Sequence, residues 1–345
     1  MDTTTAQFRT ARVATREKLH EVIPISAPYQ LVLDATNLCN FRCSFCPTSD
    51  KQLLKSVERP SGYMPYELFC KIIDDCHEFG MKIRRIDFGK DGEPLLHKQL
   101  GDMIRYIKAA DVTDLVTIAT NSALLTHEKA DELVDAGLDL LKVSVEAVSS
   151  EGYKKIADVR FDYEQLLERV RYLFEHRKNT KVYAKIIDYG LPQEDKEKFF
   201  ADFDAISDYI TIDAVSGWSV VSARDWTLGS NPQNYLDLPT FNKKEVCPFP
   251  FYTLSVNFNG LVSICCVDWS LSTVVGDLST ESLKDLWNGE RLYEFRKMHL
   301  TGNRHLNKAC GDCFARNGLP DNIDAYAPEI LDRLTKQQET FRTSV

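Results

Sequence analysis

The chain has 345 residues, 43% of them hydrophobic and 27% charged, with a formal net charge of −9. That composition is globular and leaves room for one large domain or two, while the acidic balance argues against a general binder of nucleic acid or of anionic membranes. No apolar run reaches the roughly 18–20 residues of a spanning helix, and "MDTTTAQFRT" carries no apolar signal core, so a cytoplasmic protein is expected.

Residues 1–27 are polar and hold one predicted helix, "AQFRTARVATREKLHEVI". Strands and helices then alternate. "YQLVLDAT" (29–36) reads as a buried strand, and "CNFRCSFC" follows it directly. "PYELFCKIIDDCHEF" (65–79) has apolar residues at helical spacing. Cys76 lies on its apolar face with Phe69, Ile72, Ile73 and Phe79, so Cys76 and its neighbour Cys70 read as core residues. A strand over 83–89, a helix over 96–110 and a strand over 115–121 come next. The helix over 126–137 has Thr126 as N-cap and Gly137 as stop. A strand (140–147), a helix (162–177), a strand (181–188), a helix (192–206) and a strand (209–215) complete six units.

Strict alternation with short links predicts a parallel sheet with right-handed crossovers. An open doubly wound sheet and an incomplete (β/α) barrel both fit. In either, ligand chemistry belongs at the carboxyl ends of the strands. "CNFRCSFC", "GKDGEP" (89–94), "TNS" (120–122) and "SVEA" (144–147) all fall at such ends. Near residue 216 the alternation stops. Residues 216–246, rich in Gly, Pro, Asn and Ser, read as a linker or lid. "FYTLSVNFNGLVSICC" (251–266) reads as a hairpin turning at Asn259-Gly260. Residues 279–300 read as helical, with Thr280, Leu283, Leu286 and Trp287 on the apolar side, and residues 321–345 as a helical tail.

Ten cysteines in a chain without signs of export point to metal or redox chemistry rather than disulfides. Cys39, Cys43 and Cys46 have the spacing Cys-x3-Cys-x2-Cys. A structural zinc takes four ligands, and the closest histidine, His77, is far along the next helix. A four-iron cluster usually takes four thiolates. With three, one iron keeps an open position for a substrate or cofactor. The spacing therefore favours a catalytic cluster over a zinc or disulfide site.

With this loop after the first strand, the sequence resembles the radical S-adenosylmethionine (radical SAM) superfamily, and Phe45 before the last cysteine fits the same habit. The resemblance implies a partial (β/α)6 barrel over 28–215. It implies that the backbone of Gly92, Glu93 and Pro94 holds the SAM amino group, and that Thr120 and Asn121 stand for a common "TNG", with Ser122 in place of glycine. Ser144 and Glu146 fall where the family contacts the SAM ribose or carboxylate. One departure is "FGKDGEP", where the family more often has a glycine-rich run directly before the glutamate. The implied cofactors are SAM and a 4Fe–4S cluster on Cys39, Cys43 and Cys46.

The later cysteines, Cys247, Cys265, Cys310 and Cys313, suit either zinc or a second 4Fe–4S cluster by spacing. The region 247–320 resembles the SPASM/Twitch extension, which implies one auxiliary iron–sulfur cluster. In the pair Cys265-Cys266 adjacent side chains point to opposite faces of a strand, so both are not expected on one cluster. Cys265 has the expected spacing from Gly260. Cys266 is left as a core residue, a replacement ligand or a hydrogen-atom donor, and Asp268 and Trp269 as cavity-lining candidates. The resemblance implies a radical SAM oxidoreductase or epimerase acting on a small polar, carbohydrate- or aminocyclitol-like molecule. An electron donor such as flavodoxin or ferredoxin is implied, with no nucleic-acid or membrane partner. A maturase of ribosomal peptides is the alternative, disfavoured by the short segment 1–27 and the single auxiliary cluster. A non-catalytic iron–sulfur or zinc-binding protein is the third reading.

Overall fold

The computed structural model describes residues 17–214, 218–219, 228 and 243–344. Most of the helix expected over 6–23 and most of the segment read as a linker or lid lie outside the described residues. A short helix α1 (Leu19–Val22) opens the described chain. Strand β1 (Gln30–Leu33) follows, then α2 (Lys51–Ser56), α3 (Tyr66–Asp75), β2 (Arg85–Phe88), α4 (Leu100–Ala110) and β3 (Val116–Thr120). Next come α5 (His127–Asp135), β4 (Leu140–Val145), α6 (Ser150–Ala157), α7 (Tyr163–His176), β5 (Lys181–Asp188), α8 (Gln193–Phe203) and β6 (Tyr209–Ala214). The C-terminal part adds β7 (Thr253–Val256), β8 (Leu261–Ser263), β9 (Val274–Asp277), α9 (Leu283–Asn288), α10 (Glu290–Leu300) and α11 (Ala327–Ser344).

The strands form one nine-stranded sheet in the order β6-β5-β4-β3-β2-β1-β7-β8-β9. β1 to β6 are parallel and stand in sequence order, which is the progression of a barrel. A doubly wound sheet would reverse direction at a switch point. With crossovers of the usual right hand, the helices cover one face and leave the other facing a lumen, which is consistent with a partial barrel. The side chains sort accordingly. Leu31, Leu33, Ile86, Phe88, Ile118, Leu141, Val143, Val182, Ala184 and Ile186 are buried in one core, together with Phe69 and Ile72 of α3, Ile104 of α4 and Leu166 and Val170 of α7.

The alternate positions carry polar groups that bond across strands. Thr117 donates to Asp87 at 2.6 Å and Lys142 to Asp87 at 2.5 Å, while Tyr183 and Thr211 share a hydrogen bond of 2.7 Å. A parallel sheet buried on both faces normally reads as continuous apolar runs. This one is apolar outward and polar inward.

The C-terminal part is an extension of the same sheet. β7 pairs in parallel with β1, from Gln30↔Thr253 to Leu33↔Val256, and the antiparallel hairpin β7–β8 continues outward to β9. The expected turn is present, and Gly260 adopts φ +90, the left-handed region glycine favours. Behind it, α1, α10 and α11 share a small second core of Leu19, Ile23, Phe251, Tyr293, Ile330 and Leu334.

The remaining expectations fare unevenly. Thr126 caps α5 by accepting from the Lys129 amide at 3.2 Å. The helix expected from 96 starts only at Leu100, because a 3-10 turn over Pro94–Leu96 precedes it. The helix expected over 279–300 is broken at Gly289, whose φ −71 and ψ 159 are extended. Leu283, Leu286 and Trp287 are buried there as expected, but Thr280 is exposed. The short helices α2 and α6 and the strand β9 were not expected.

Candidate active site

The loop from β1 carries Cys39, Cys43 and Cys46 to the carboxyl rim of the sheet. These three cysteines line one cavity with Phe45, Gly92, Glu93, Thr120, Asn121, Ser144 and Glu146. The same cavity takes Lys90, Lys185 and Trp218, which sequence reasoning did not single out. Lys185 is one of the inward positions of β5, so strand alternation carried a signal for it. Trp218 stands in a segment with no periodicity. Pro94 is not part of this wall; it starts the 3-10 turn.

Each wall has a local cause. Gly92 sits at φ +72, and a Cβ there would fall within 2.5 Å of the Leu38 carbonyl oxygen, so only glycine lets "GKDGEP" lie against the cysteine loop. The departure from a glycine-rich run is accommodated by burial of its charges. Asp91 pairs with Arg59 at 2.5 Å, with side chains 0% and 2% exposed, and its amide donates to Asp34 at 3.0 Å. Lys90 donates to Asn257 beyond β7 at 2.5 Å, which ties the loop to the hairpin. Burial and the neighbouring Asp91 carboxylate push Asp34 up to about 7.

Glu93 is a positioning group. Its carboxylate accepts from Thr120 Oγ1 at 2.7 Å, from the Asn121 amide at 2.8 Å and from the Leu95 amide at 2.9 Å. Burial raises it to about 7 against the pull of those three donors. Asn121 then reaches back to the cysteine loop, with Nδ2 donating to Asn40 at 2.9 Å. Ser122 adopts φ +60, the conformation glycine favours, although the residue is serine. Glu146 differs from Glu93. Burial raises it to about 7, but no described side chain bonds its carboxylate, which faces the cavity.

The second set of cysteines meets elsewhere. Cys247, Cys265, Cys310 and Cys313 line one buried cavity together with Ser219, Asp268, His299, Arg304 and Arg316. Cys266 is not in that wall. Its thiol is hydrogen-bonded first to that of Cys265, with Lys90 and Asp87 acting on it more weakly from the barrel side. The pair lies beyond the end of β8, so strand alternation does not separate its two side chains, and Cys266 lines neither cavity. Asp268 lines the second cavity, but its carboxylate is held by Ser270 and Thr273, accepting from the Thr273 amide at 2.7 Å. Trp269 is fully buried and donates to the Ser219 carbonyl at 3.1 Å. Neither residue faces the first cavity. The two cavities adjoin at residues 218 and 219: Trp218 lines the first and Ser219 the second.

Burial pushes the thiol of Cys39 up to about 12, that of Cys46 to about 11 and that of Cys247 to about 12. Such thiols become thiolates when a metal replaces their protons. Among the described residues no three or more His, Cys, Asp or Glu side chains are gathered tightly enough for one metal ion. Four thiolates on one zinc would sit about 3.8 Å apart. Thiols lining a common cavity can hold a zinc ion or a cluster of several iron atoms. The residues fit such a group at both places: three thiols and an open wall in the first, four thiols and a closed wall in the second. Among the described residues no helix is long and apolar enough to cross a membrane.

The radical SAM superfamily model matches residues 33–206, and an iron–sulfur cluster-binding domain model matches residues 247–314. The tungsten-containing aldehyde ferredoxin oxidoreductase cofactor-modifying protein of Pyrococcus furiosus is 27% identical over 353 residues, spanning 87% of this chain and 92% of the relative. The probable GTP 3′,8-cyclase of Methanococcus maripaludis is 34% identical over 124 residues, only 36% of this chain and 38% of the relative. The crystal structure of BtrN in complex with AdoMet and 2-DOIA shares the fold at TM-score 0.54 and 21% identity, covering 83% of this chain and 92% of that one. Streptococcus suis SuiB bound to precursor peptide SuiA does so at TM-score 0.60 and 14% identity, covering 86% and 72%.

Proposed function

From the premise that this chain belongs to the radical SAM superfamily and carries a C-terminal iron–sulfur domain, we propose that it oxidises or epimerises a carbon of a small polar molecule held in the barrel lumen. The observation that carries this reading is the polar inner face of the sheet. Asp87, Lys142, Thr117, Tyr183 and Thr211 line it with both charges and hydroxyls. These groups already bond one another, but a polyhydroxylated or amino-bearing ring could exchange hydrogen bonds with them, whereas an apolar substrate would gain nothing from displacing water off a polar wall. The Pyrococcus relative is named for modifying a cofactor, which also supports a small-molecule substrate over a peptide.

Roles follow for this chain's residues. Cys39, Cys43 and Cys46 would hold the cluster that, when bound, supplies the electron for cleaving SAM to a 5′-deoxyadenosyl radical. The "GEP" backbone would receive the SAM amino group. Glu93 keeps that loop and the Thr120–Asn121 turn in register. Ser144, Glu146 and Lys185 face the cavity where the ribose and carboxylate would lie. Cys247, Cys265, Cys310 and Cys313 would hold the auxiliary cluster on the far side of Trp218. In the oxidative variant the auxiliary cluster held by these four cysteines would supply the acceptor for one electron, so that a substrate alcohol that had lost a hydrogen atom to the deoxyadenosyl radical and a proton to solvent would become a ketone. In the epimerising variant a thiol would return the hydrogen from the other face, and the thiyl radical left behind would need one electron from the external electron donor and one proton; Cys266, outside the wall of the four-cysteine cavity, is the candidate.

The test is anaerobic turnover of ring polyols and amino polyols deuterated at single carbons. Deuterium in 5′-deoxyadenosine, with a ketone or an inverted centre in the product, is expected. Label transfer from a peptide and from none of these compounds would overturn the reading.

A further inference from the structure

The cavity of Cys247, Cys265, Cys310 and Cys313 contains more hydrogen-bond donors than its walls use. His299 is 1% exposed, and neither ring nitrogen has a partner among the described residues. A neutral imidazole always carries one N–H, and leaving it buried and unpaired costs about 1–3 kcal/mol. Arg316, 5% exposed, has an unpartnered Nη1, and Arg304 an unpartnered Nε. Other atoms of the same guanidinium groups are occupied. Arg316 Nε donates to the Lys244 carbonyl, and Arg304 Nη1 to the Cys310 carbonyl at 2.6 Å.

The unused donors all belong to side chains of this one wall. The Arg304 and Arg316 charges act on the Cys313 thiol, and both also act on His299. The imidazole stacks on Phe295, with ring centroids 5.3 Å apart, which fixes its plane. Four neutral thiols would give these donors little to bond. A cluster held by four thiolates carries net negative charge and sulfurs that accept hydrogen bonds, and it becomes more negative when reduced. Donors and positive charge in a buried site stabilise that reduced form.

We propose that His299, assisted by Arg304 and Arg316, donates to the sulfurs of the auxiliary cluster and raises its reduction potential, fitting it to receive an electron. The last clause rests on the oxidative reading above; the potential itself does not. At the first loop the described side chains that hydrogen-bond the thiols, Asn121 and Thr48, are uncharged, while Lys90 and Lys185 stand elsewhere in that cavity wall.

The experiment is an EPR-monitored redox titration of the reconstituted full chain, with Cys39, Cys43 and Cys46 replaced by alanine so that only the auxiliary cluster reports. His299→Leu should move the midpoint to more negative potential, and His299→Asn, which keeps an N–H, should restore part of the shift. Arg304→Gln should shift it in the same direction as His299→Leu. An unchanged midpoint in both His299→Leu and Arg304→Gln would overturn the proposal. So would strong nitrogen coupling in pulsed EPR with loss of the cluster in His299→Asn, which would make His299 a ligand. No substrate is needed, so failure here is separate from failure of the substrate reading.

Discussion

Cys39, Cys43 and Cys46 come from one short loop, whereas Cys247, Cys265, Cys310 and Cys313 are drawn from three separated segments. The loop site faces a cavity walled by a second loop, two strand ends and a cavity-facing carboxylate. The C-terminal site is closed over by a histidine and two arginines. A local motif exposes a metal to a cofactor; a site gathered from afar buries one and surrounds it with charge. On the function proposed above, that difference would suit the first site to radical generation and the second to electron acceptance.

The largest effects should come from removing either set of thiols. Cys39→Ala, Cys43→Ala and Cys46→Ala together should reduce SAM cleavage to background, while bound iron falls from about eight to about four per chain. Both are read by 5′-deoxyadenosine and iron assays. Residual cleavage would erase the distinction between the sites. Cys310→Ala with Cys313→Ala should give the same iron loss but leave SAM cleavage measurable and stop product formation. If product still forms, the C-terminal site is structural only.

A third test concerns what joins the sites. Arg59 and Asp91 form a buried ion pair under the "GKDGEP" loop, and Lys90 of that loop holds Asn257 beside the hairpin. Removing one partner of such a pair typically costs about 3–5 kcal/mol, because the other charge stays buried. Arg59→Ala should therefore lower the urea midpoint by that equivalent. Arg59→Lys should recover part of it. An unaltered midpoint would mean that the two parts are held together elsewhere.

Glu93→Gln acts on the first site alone. It removes the charge from an acceptor serving three donors, and hydrogen bonds to charged groups are worth about 1.5–3 kcal/mol. The KM for SAM should rise about tenfold with the iron content unchanged. An effect confined to kcat would place Glu93 in the chemistry instead of behind the loop.

Legibility in the sequence followed range. The local features were readable: the cysteine spacing, the Thr126 cap, the Asn259-Gly260 turn and the periodicity of α3 and α7. So was the parallel sheet, since alternation of strands and helices is a local pattern. The pairing of β7 with β1 joins segments at opposite ends of the described chain, and no short pattern carries it. His299 sits at the end of an ordinary amphipathic helix, and Arg304 and Arg316 in short turns. Composition rules place such residues on the surface, so their burial around a cavity becomes visible only in three dimensions. Ser122 shows the opposite case: its unusual backbone was foreshadowed by the glycine that the resemblance led one to expect.

The smallest predicted effect lies where the two cavities touch. Trp218 Nε1 donates to the Phe45 carbonyl at 2.8 Å, and the adjacent Ser219 amide donates to the Val267 carbonyl at 3.1 Å. One stretch of backbone thus pins the cysteine loop on one side and the hairpin on the other. Trp218→Phe keeps the ring and removes the N–H. A single neutral hydrogen bond is worth about 0.5–1.5 kcal/mol, so the KM for SAM should rise about two- to tenfold. The auxiliary midpoint should not move, because Ser219 and the cysteine cage are untouched. Trp218→Ala should additionally let water into the first cavity, so that SAM is cleaved without matching product. If instead Trp218→Phe shifts the auxiliary midpoint, the two sites share an electrostatic environment as well as a wall, and the division of labour between them has to be redrawn.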